Sequence, residues 1–335
     1  MARNRIIPIF VPHLGCPHDC VFCDQKRISG SPLPASGQDV TAALEKARAA
    51  GQSGLELAFY GGSFTAIEEQ TQRELLEAAA SYRADGTVTS IRLSTRPDAV
   101  DENCLNMLRS HGVATVELGA QSMDDGVLMA SGRGHKAADT EKAARLVKAA
   151  GLRLVLQMMT GLPGSDRARD TETARRLIAL KPDGARIYPT VIVKDTPLEQ
   201  LWRAGKYREH TVADAVAVCA DILPMFEKAG IPVIRLGLNP TEGLSAGGAV
   251  AGAYHPALGE LVRSEILRRK AEELLRAVPA ESFVTLGVAP GNVSAMIGQH
   301  RANIAALTAS CGLGGLTVKA VENAGNGISL VDVRQ

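Results

Sequence analysis

The 335-residue chain predicts an α/β architecture, a parallel (β/α) barrel, partial or complete, followed by a small α+β appendage. Three observations carry that expectation. Short apolar runs alternate with amphipathic helical patterns from residue 6 to residue 236, which is how βαβ units on a parallel sheet read. Polar motifs follow one strand after another at its carboxyl end, where barrels of this kind build their sites. A second, shorter series of elements begins near residue 280. The expected divisions are 1–242 for the barrel, 243–279 for a Gly/Ala-rich connector and a helix, and 280–335 for the appendage.

The elements follow in order. Ile6 to Val11 is a short apolar run that reads as a buried strand. Val40 to Ala50 has a helical pattern, Leu55 to Tyr60 reads as a strand, and Ile67 to Tyr82, rich in Glu, Leu and Ala, as one helix. The alternation continues through strand 90–93, helix 101–110, strand 115–118, helix 137–150, strand 153–158, helix 169–180 and a strand from Ala185 to Ile192. A long helix, Val212 to Lys228, sets Val212, Ala215, Val216, Cys219, Ile222, Leu223 and Phe226 on one face, and strand Pro232 to Leu236 follows. Gly243 to Gly259 is dense in Gly and Ala and lacks the side chains for a core, so it reads as a linker or a cover for the barrel mouth. The helix from Glu260 to Ala277 carries Arg263, Arg268, Arg269 and Lys270, either a phosphate-facing strip or a solvated face.

Between the first strand and the first helix lies Cys16-Pro-His-Asp-Cys20-Val-Phe-Cys23. Thiolates at this spacing can converge on one metal centre. Zinc needs a fourth ligand, which His13 or His18 would supply. An iron–sulfur cluster normally takes four cysteines, so three leave one iron open. The other cysteines, Cys104, Cys219 and Cys311, are scattered through helical patterns and read as small apolar residues rather than a disulfide framework.

The polar strand ends are the remaining site candidates. Gly61-Gly62-Ser63-Phe64-Thr65 lets the backbone approach a ligand closely. In Ser94-Thr95-Arg96-Pro97-Asp98, Arg96 suits a bidentate grip on a carboxylate or phosphate, the alternative being an ion pair with Asp98. Gln121 and Ser122 suit ribose hydroxyls or substrate, or else water. Tyr188 suits hydrogen-atom relay or stacking on a base, with rim packing as the equal alternative. Leu162-Pro163-Gly164 reads as plain turn chemistry, and His135 as a loop residue opening a helix.

Composition narrows the class. Lys and Arg total 37 against 36 for Asp and Glu, so no global charge draws the chain to nucleic acid or membrane. The N-terminus is too short in apolar residues for a signal peptide, and no run nears the ~18 apolar residues of a membrane span. A cytoplasmic location is expected, with no membrane partner.

The cysteine spacing, with the aromatic Phe22 before the last cysteine, resembles the CxxxCxxC signature of radical S-adenosylmethionine (radical SAM) enzymes. The resemblance implies a [4Fe–4S] cluster on Cys16, Cys20 and Cys23, S-adenosylmethionine on the open iron, cleavage to a 5′-deoxyadenosyl radical, and an electron donor of flavodoxin or ferredoxin type. It also implies that the loop at Gly61, Gly62 and Ser63 holds the methionine amino group, and it makes Thr95, Arg96, Gln121, Ser122 and Gln157 cofactor-binding candidates beside Phe22, with Tyr188 as the catalytic candidate.

More specifically, Gly-Gly-Ser-Phe-Thr at 61–65, Ser-Thr-Arg-Pro-Asp at 94–98, Val116-Glu-Leu-Gly-Ala-Gln-Ser122 with Gly132-Arg-Gly-His135, Gln157-Met-Met159, Arg186-Ile-Tyr-Pro-Thr190 and Leu198-Glu-Gln-Leu-Trp-Arg-Ala-Gly-Lys-Tyr207 resemble the radical SAM domain of the elongator catalytic subunit. That subunit modifies the wobble uridine of transfer RNA with acetyl-coenzyme A. The acetyltransferase domain that follows the barrel in that family is expected to be lacking, because residues 278–335 are too few to hold it. In the appendage, strand 282–289, helix 292–297, loop Gly298-Gln-His-Arg301, helix 302–310 and strands 316–321 and 328–333 resemble a KH nucleic-acid-binding core, with Arg301 where the last glycine of the GxxG loop stands. The substrate this implies is RNA, a transfer RNA base. The alternatives are a radical enzyme for a small metabolite or peptide, and a non-catalytic metal-binding interaction protein.

Overall fold

The structure, a computed structural model, describes residues 5–11, 16, 20–24, 35–241, 243–322 and 327–335. Two compact units are present, Met1–Thr211 with Ile222–Tyr254 and Val212–Asp221 with His255–Gln335.

The first unit is built on strands β1 (Ile6–Phe10), β2 (Leu55–Tyr60), β3 (Val88–Thr95), β4 (Val113–Gln121), β5 (Arg153–Thr160), β6 (Gly184–Pro189) and β8 (Val233–Leu236). They form one sheet in the order β1-β2-β3-β4-β5-β6-β8, every pair parallel. The sheet curls into a half-barrel, the partial form of the expected architecture.

Its crossovers are helices α1 (Gly37–Ala49), α2 (Glu69–Glu77), α3 (Ala80–Ala84), α4 (Glu102–Ser110), α5 (Asp125–Ala130), α6 (Ala137–Ala149) and α7 (Arg167–Ala179). Several starts are fixed by a side chain that satisfies an otherwise orphaned amide. Ser36 and Asp39 make a reciprocal capping box on α1, and Asp101 and Asp166 accept from the amides of Cys104 and Arg169. The helix-covered face of the sheet is largely apolar. Leu57, Leu93, Val116, Leu118, Leu154, Leu156, Met158 and Ile187 have no exposed surface, and burying each such side chain contributes about 1.5–3 kcal/mol.

Three local expectations give way. The single helix expected at 67–82 is two, α2 and α3. The strand expected from Ala185 to Ile192 ends at Pro189, and Thr190 bonds Thr160 O through both its amide and its hydroxyl. Val191–Val193 is a separate strand, β7, in another sheet. Its antiparallel partner is β9 (Ala249–Gly252), inside the Gly/Ala-rich stretch read as a linker or a cover for the barrel mouth. Helix α8 (Pro197–Arg203), with Thr196 as N-cap and proline at its start, lies between them in sequence. Helix α9 (Val212–Lys228) has the expected bounds, with Ala215, Cys219, Ile222, Leu223 and Phe226 all buried.

The second unit contains α10 (Leu258–Leu275), β10 (Phe283–Val288), α11 (Val293–Ile297), α12 (Ala302–Ser310), β11 (Gly315–Ala320) and β12 (Ile328–Arg334). The strand–helix–helix–strand–strand order matches the sequence reading, with sheet order β11-β10-β12, parallel on one side of β10 and antiparallel on the other. Leu267, Ala271, Leu275, Val284, Leu286, Val288, Met296 and Leu307 make its core. In the loop before α12, Gly298, His300 and Arg301 have φ of 77°, 52° and 62°, the left-handed region where glycine is the easiest residue. The Asn303 amide ties this loop down by donating to the carbonyls of Ala295, Met296 and Ser264. On α10, Arg268 pairs with Glu265 and Glu272, and Arg269 with Glu265 and Asp221, so these two members of the expected strip are neutralised by carboxylates.

Candidate active site

Of the cysteine loop that follows β1 in sequence, Cys16 and residues 20–24 are described. Its middle is stitched to the scaffold by backbone bonds on both sides, Val21 N to Ser131 O at 3.1 Å and Leu198 N to Val21 O at 2.8 Å. Val21 and Phe22 pack with Ile192, Leu198, Tyr207 and Trp202. Phe22 therefore serves as an apolar anchor of the loop, and α8 with β7 supplies the surface it grips. The amide of Cys23 closes a turn onto Cys20 O.

All six cysteines are free thiols. Cys16 Sγ lies 3.5 Å from Ser63 Oγ, which ties the loop to the Gly61-Gly62-Ser63 segment after β2. Cys20 is 7% exposed and accepts from Arg133 Nη1 at 3.3 Å. Among the described residues no three His, Cys, Asp or Glu side chains stand at metal-holding separation, so the three sulfurs share a loop without converging on a point. His13 and His18, the zinc alternatives, lie outside the described residues. Cys219 is fully buried, and burial pushes the Cys104 thiol up to about 11.

Arg133 is the residue that sequence reasoning left without a role. Only 7% exposed, it donates to Gly119 O at 2.6 Å and to Cys20 Sγ, while its Nε has no partner. A Cβ at position 119 would meet Gln121 Nε2 at 3.0 Å and Arg133 Nη2 at 3.5 Å; glycine there lets both side chains close in. Arg96 is also buried, at 2%, rather than on the surface. It holds Asp98 by two 3.0 Å bonds and also donates to Arg133 O, leaving Nη1 unpartnered. Burial opposes ionisation of Asp98, but the Arg96 hydrogen bond and charge keep that carboxyl below its usual range. His135 is 4% exposed, not a loose loop residue; Nε2 meets Ala120 O at 3.2 Å and Nδ1 has no partner. Burial and the Arg133 charge push it down to about 4, so the ring is neutral.

The remaining candidates are placed as follows. Thr95 bonds Thr65 through its hydroxyl, tying the β3 end to the loop after β2. Gln121, at φ 63°, accepts from Gln157 Nε2 at 3.5 Å. Ser122 bonds Thr173 and the amide of Asp124, so its hydroxyl serves the turn into α5. Leu162-Pro163-Gly164 is a turn, closed by Ser165 N on Leu162 O. Behind it, buried Asp170 accepts from Gly161 N and Ser165 Oγ, and burial pushes it up to about 6. Tyr188 lies on the face of the sheet away from the helices, its hydroxyl 3.5 Å from Arg186 Nη1.

That inner face holds a second group of residues not foreseen. Glu117, 1% exposed, accepts from Arg92 and twice from Arg186 at 2.8–2.9 Å, and Arg92 also pairs with Glu56 at 2.8 Å. A signal was available, because Glu56, Arg92, Glu117 and Arg186 are the charged residues inside strands β2, β3, β4 and β6, but their mutual pairing spans up to 69 residues of sequence.

Two buried guanidinium nitrogens without partners, beside a thiol loop at a barrel rim, are a donor set that suits an anionic cofactor group next to thiolate-bound iron. Comparison with known proteins agrees. Residues 10–177 match the Radical SAM superfamily and residues 182–268 the Radical_SAM C-terminal domain. The tRNA uridine(34) acetyltransferase of Methanocaldococcus jannaschii is 30% identical over 184 residues, 49% of this chain and 34% of that protein. Human Elongator complex protein 3 is 28% identical over 191 residues, 51% of this chain and 35% of that protein. The chain thus spans about a third of the length of these relatives. The structure of an N-terminally truncated Elp3 from Methanocaldococcus infernus matches in fold with a TM-score of 0.62 at 23% identity, covering 80% of this chain and 64% of that one. The chain is an enzyme that belongs to the radical SAM superfamily, whose members use a [4Fe–4S] cluster, S-adenosylmethionine and an electron donor.

Proposed function

We propose that residues 1–242 carry radical chemistry on a base of transfer RNA, with the cluster on Cys16, Cys20 and Cys23 and residues 280–335 engaging the RNA. The observation that carries the reading is the buried Arg133 donating to Cys20 Sγ while its Nε is left without a partner. When bound, the cluster supplies the electron that cleaves S-adenosylmethionine to a 5′-deoxyadenosyl radical. The chain's own part is to hold and to exclude water. Gly61, Gly62 and Ser63 offer peptide groups to the methionine amine, Arg133 and Arg96 offer N–H to its carboxylate, and Gln121 with Gln157 offers amides to the ribose. Phe22 fixes the loop, and Tyr188 faces the reacting group. The names of the matched tRNA uridine(34) acetyltransferases support RNA as substrate, and so does the left-handed loop at Gly298–Arg301, whose amides suit a phosphate.

A small metabolite or peptide is the second reading, favoured by the carboxylate pairing of Arg268 and Arg269. Anaerobic reconstitution with S-adenosylmethionine and a reductant, with 5′-deoxyadenosine measured with and without total transfer RNA, separates the two. The expected result is deoxyadenosine that rises with transfer RNA, a mass change on one base, and loss of both in a Cys16→Ala, Cys20→Ala, Cys23→Ala variant. Deoxyadenosine that ignores transfer RNA leaves the small-substrate reading; none under any condition, from protein that has taken up iron, ends the radical proposal.

A further inference from the structure

The inner face of the half-barrel carries two phenols near its strand ends. Tyr60 is the last residue of β2 and adjoins Gly61. Tyr188 is the penultimate residue of β6. One guanidinium lies between them, with Arg186 Nη2 3.0 Å from the Tyr60 hydroxyl and Nη1 3.5 Å from that of Tyr188. Arg186 also sits 5.5 Å over the Tyr60 ring and is held in place by two bonds to Glu117.

Arginine has five donors and accepts nothing. Each phenol oxygen that faces Arg186 must therefore accept from it, and the phenolic proton is left to point elsewhere. Both hydroxyls are thus set as donors. Burial and the Glu117 charge push Tyr60 up to about 12, and burial raises Tyr188, so neither proton is lost near neutral pH.

Charge on this face is arranged around the same point. Arg92 and Arg186 are balanced by Glu56 and Glu117. Arg235 of β8, registered beside Arg186, has no such balance among the described residues, since its bonds run to the carbonyls of Gly237 and Leu238. It acts on Tyr188 electrostatically. Two donors and a cation without a carboxylate favour a ligand that accepts and carries negative charge.

We propose that the Tyr60 and Tyr188 hydroxyls, with Arg235 beside the second, form a subsite for an anionic oxygen group of the substrate, a phosphate or a carboxylate. The subsite rests on the reading of the inner face as the substrate wall of a radical enzyme. Its test uses no turnover, so the two stand or fall separately.

The 335-residue chain, anaerobically reconstituted, is titrated by calorimetry with uridine 5′-monophosphate, uridine and malonate. Binding of the monophosphate but not of uridine or malonate identifies a nucleotide phosphate; malonate binding identifies a carboxylate. In either case the Tyr60→Phe, Tyr188→Phe double variant, which keeps both rings, loses at least about tenfold in affinity. Arg235→Gln loses a similar factor and decides the matter should the double variant not fold. Failure of both anions to bind the unaltered protein, or unchanged affinity in the folded variants, overturns the proposal.

Discussion

In the half-barrel, Arg92 and Arg186 share a fully enclosed carboxylate, while Arg96 and Arg133 lie among carbonyls, one carboxylate and a thiol with N–H groups to spare. On α10, by contrast, Arg268 and Arg269 remain 26% and 32% exposed and make i,i+3 and i,i+4 pairs on their own helix. Both sets are arginines of the same chain, scattered in the first and clustered in the second, yet only the first is largely held away from water. A guanidinium paired within one helical turn is already satisfied. One that is buried can keep a donor to give, as at Arg92 Nε, Arg96 Nη1 and Arg133 Nε. Basic residues counted along a sequence therefore say little about where an anion binds.

The contrast can be broken at its strongest point first. Glu117→Gln leaves Arg92 and Arg186 facing a neutral amide in a buried site, and the expected cost is about 3–5 kcal/mol of stability, read from chemical denaturation. A cost below that of an ordinary surface change would mean water reaches the inner face freely. Arg133→Met comes next. Removing the donor to Cys20 Sγ should lower the cluster midpoint potential in an EPR redox titration and weaken S-adenosylmethionine binding about 10- to 100-fold. Unaltered potential and affinity would reduce Arg133 to a packing residue. The smallest effect is expected on α10, where Arg268→Gln should change stability by about 0–1 kcal/mol and leave RNA retention as it was. A marked loss of RNA from that variant would show that the Glu265 and Glu272 pairs open on binding and would erase the distinction.

Much of the barrel was legible because its signal is local. Each strand is a short apolar run, each crossover a helical pattern, and the polar strand ends fall on one rim whatever the tertiary detail. What escaped depends on distance along the chain. Nothing near Ala249–Gly252 announces a strand, since small residues carry no β pattern and the pairing is set by β7, more than 50 residues earlier. β6 ends at Pro189, and Val191–Val193 pairs instead with Ala249–Gly252, a change of partner that no local pattern announces. The same holds at the proposed site. The spacing of Cys16, Cys20 and Cys23 and the motif around Tyr188 are visible in the sequence. The bond from Arg133 to Cys20, separated by 113 residues, and the shared grip on Glu117 appear only in three dimensions. Arg96 shows the mixed case, its partner Asp98 readable from sequence and its burial not.

Trp202 is the sole tryptophan in the chain, and it packs in the same cluster as Phe22, between two of the three cysteines in sequence. The molecule thus carries an intrinsic optical probe beside the loop that matters. Its emission will report iron uptake, through quenching, without any label or added chromophore, and one fluorimeter trace can follow loading in real time.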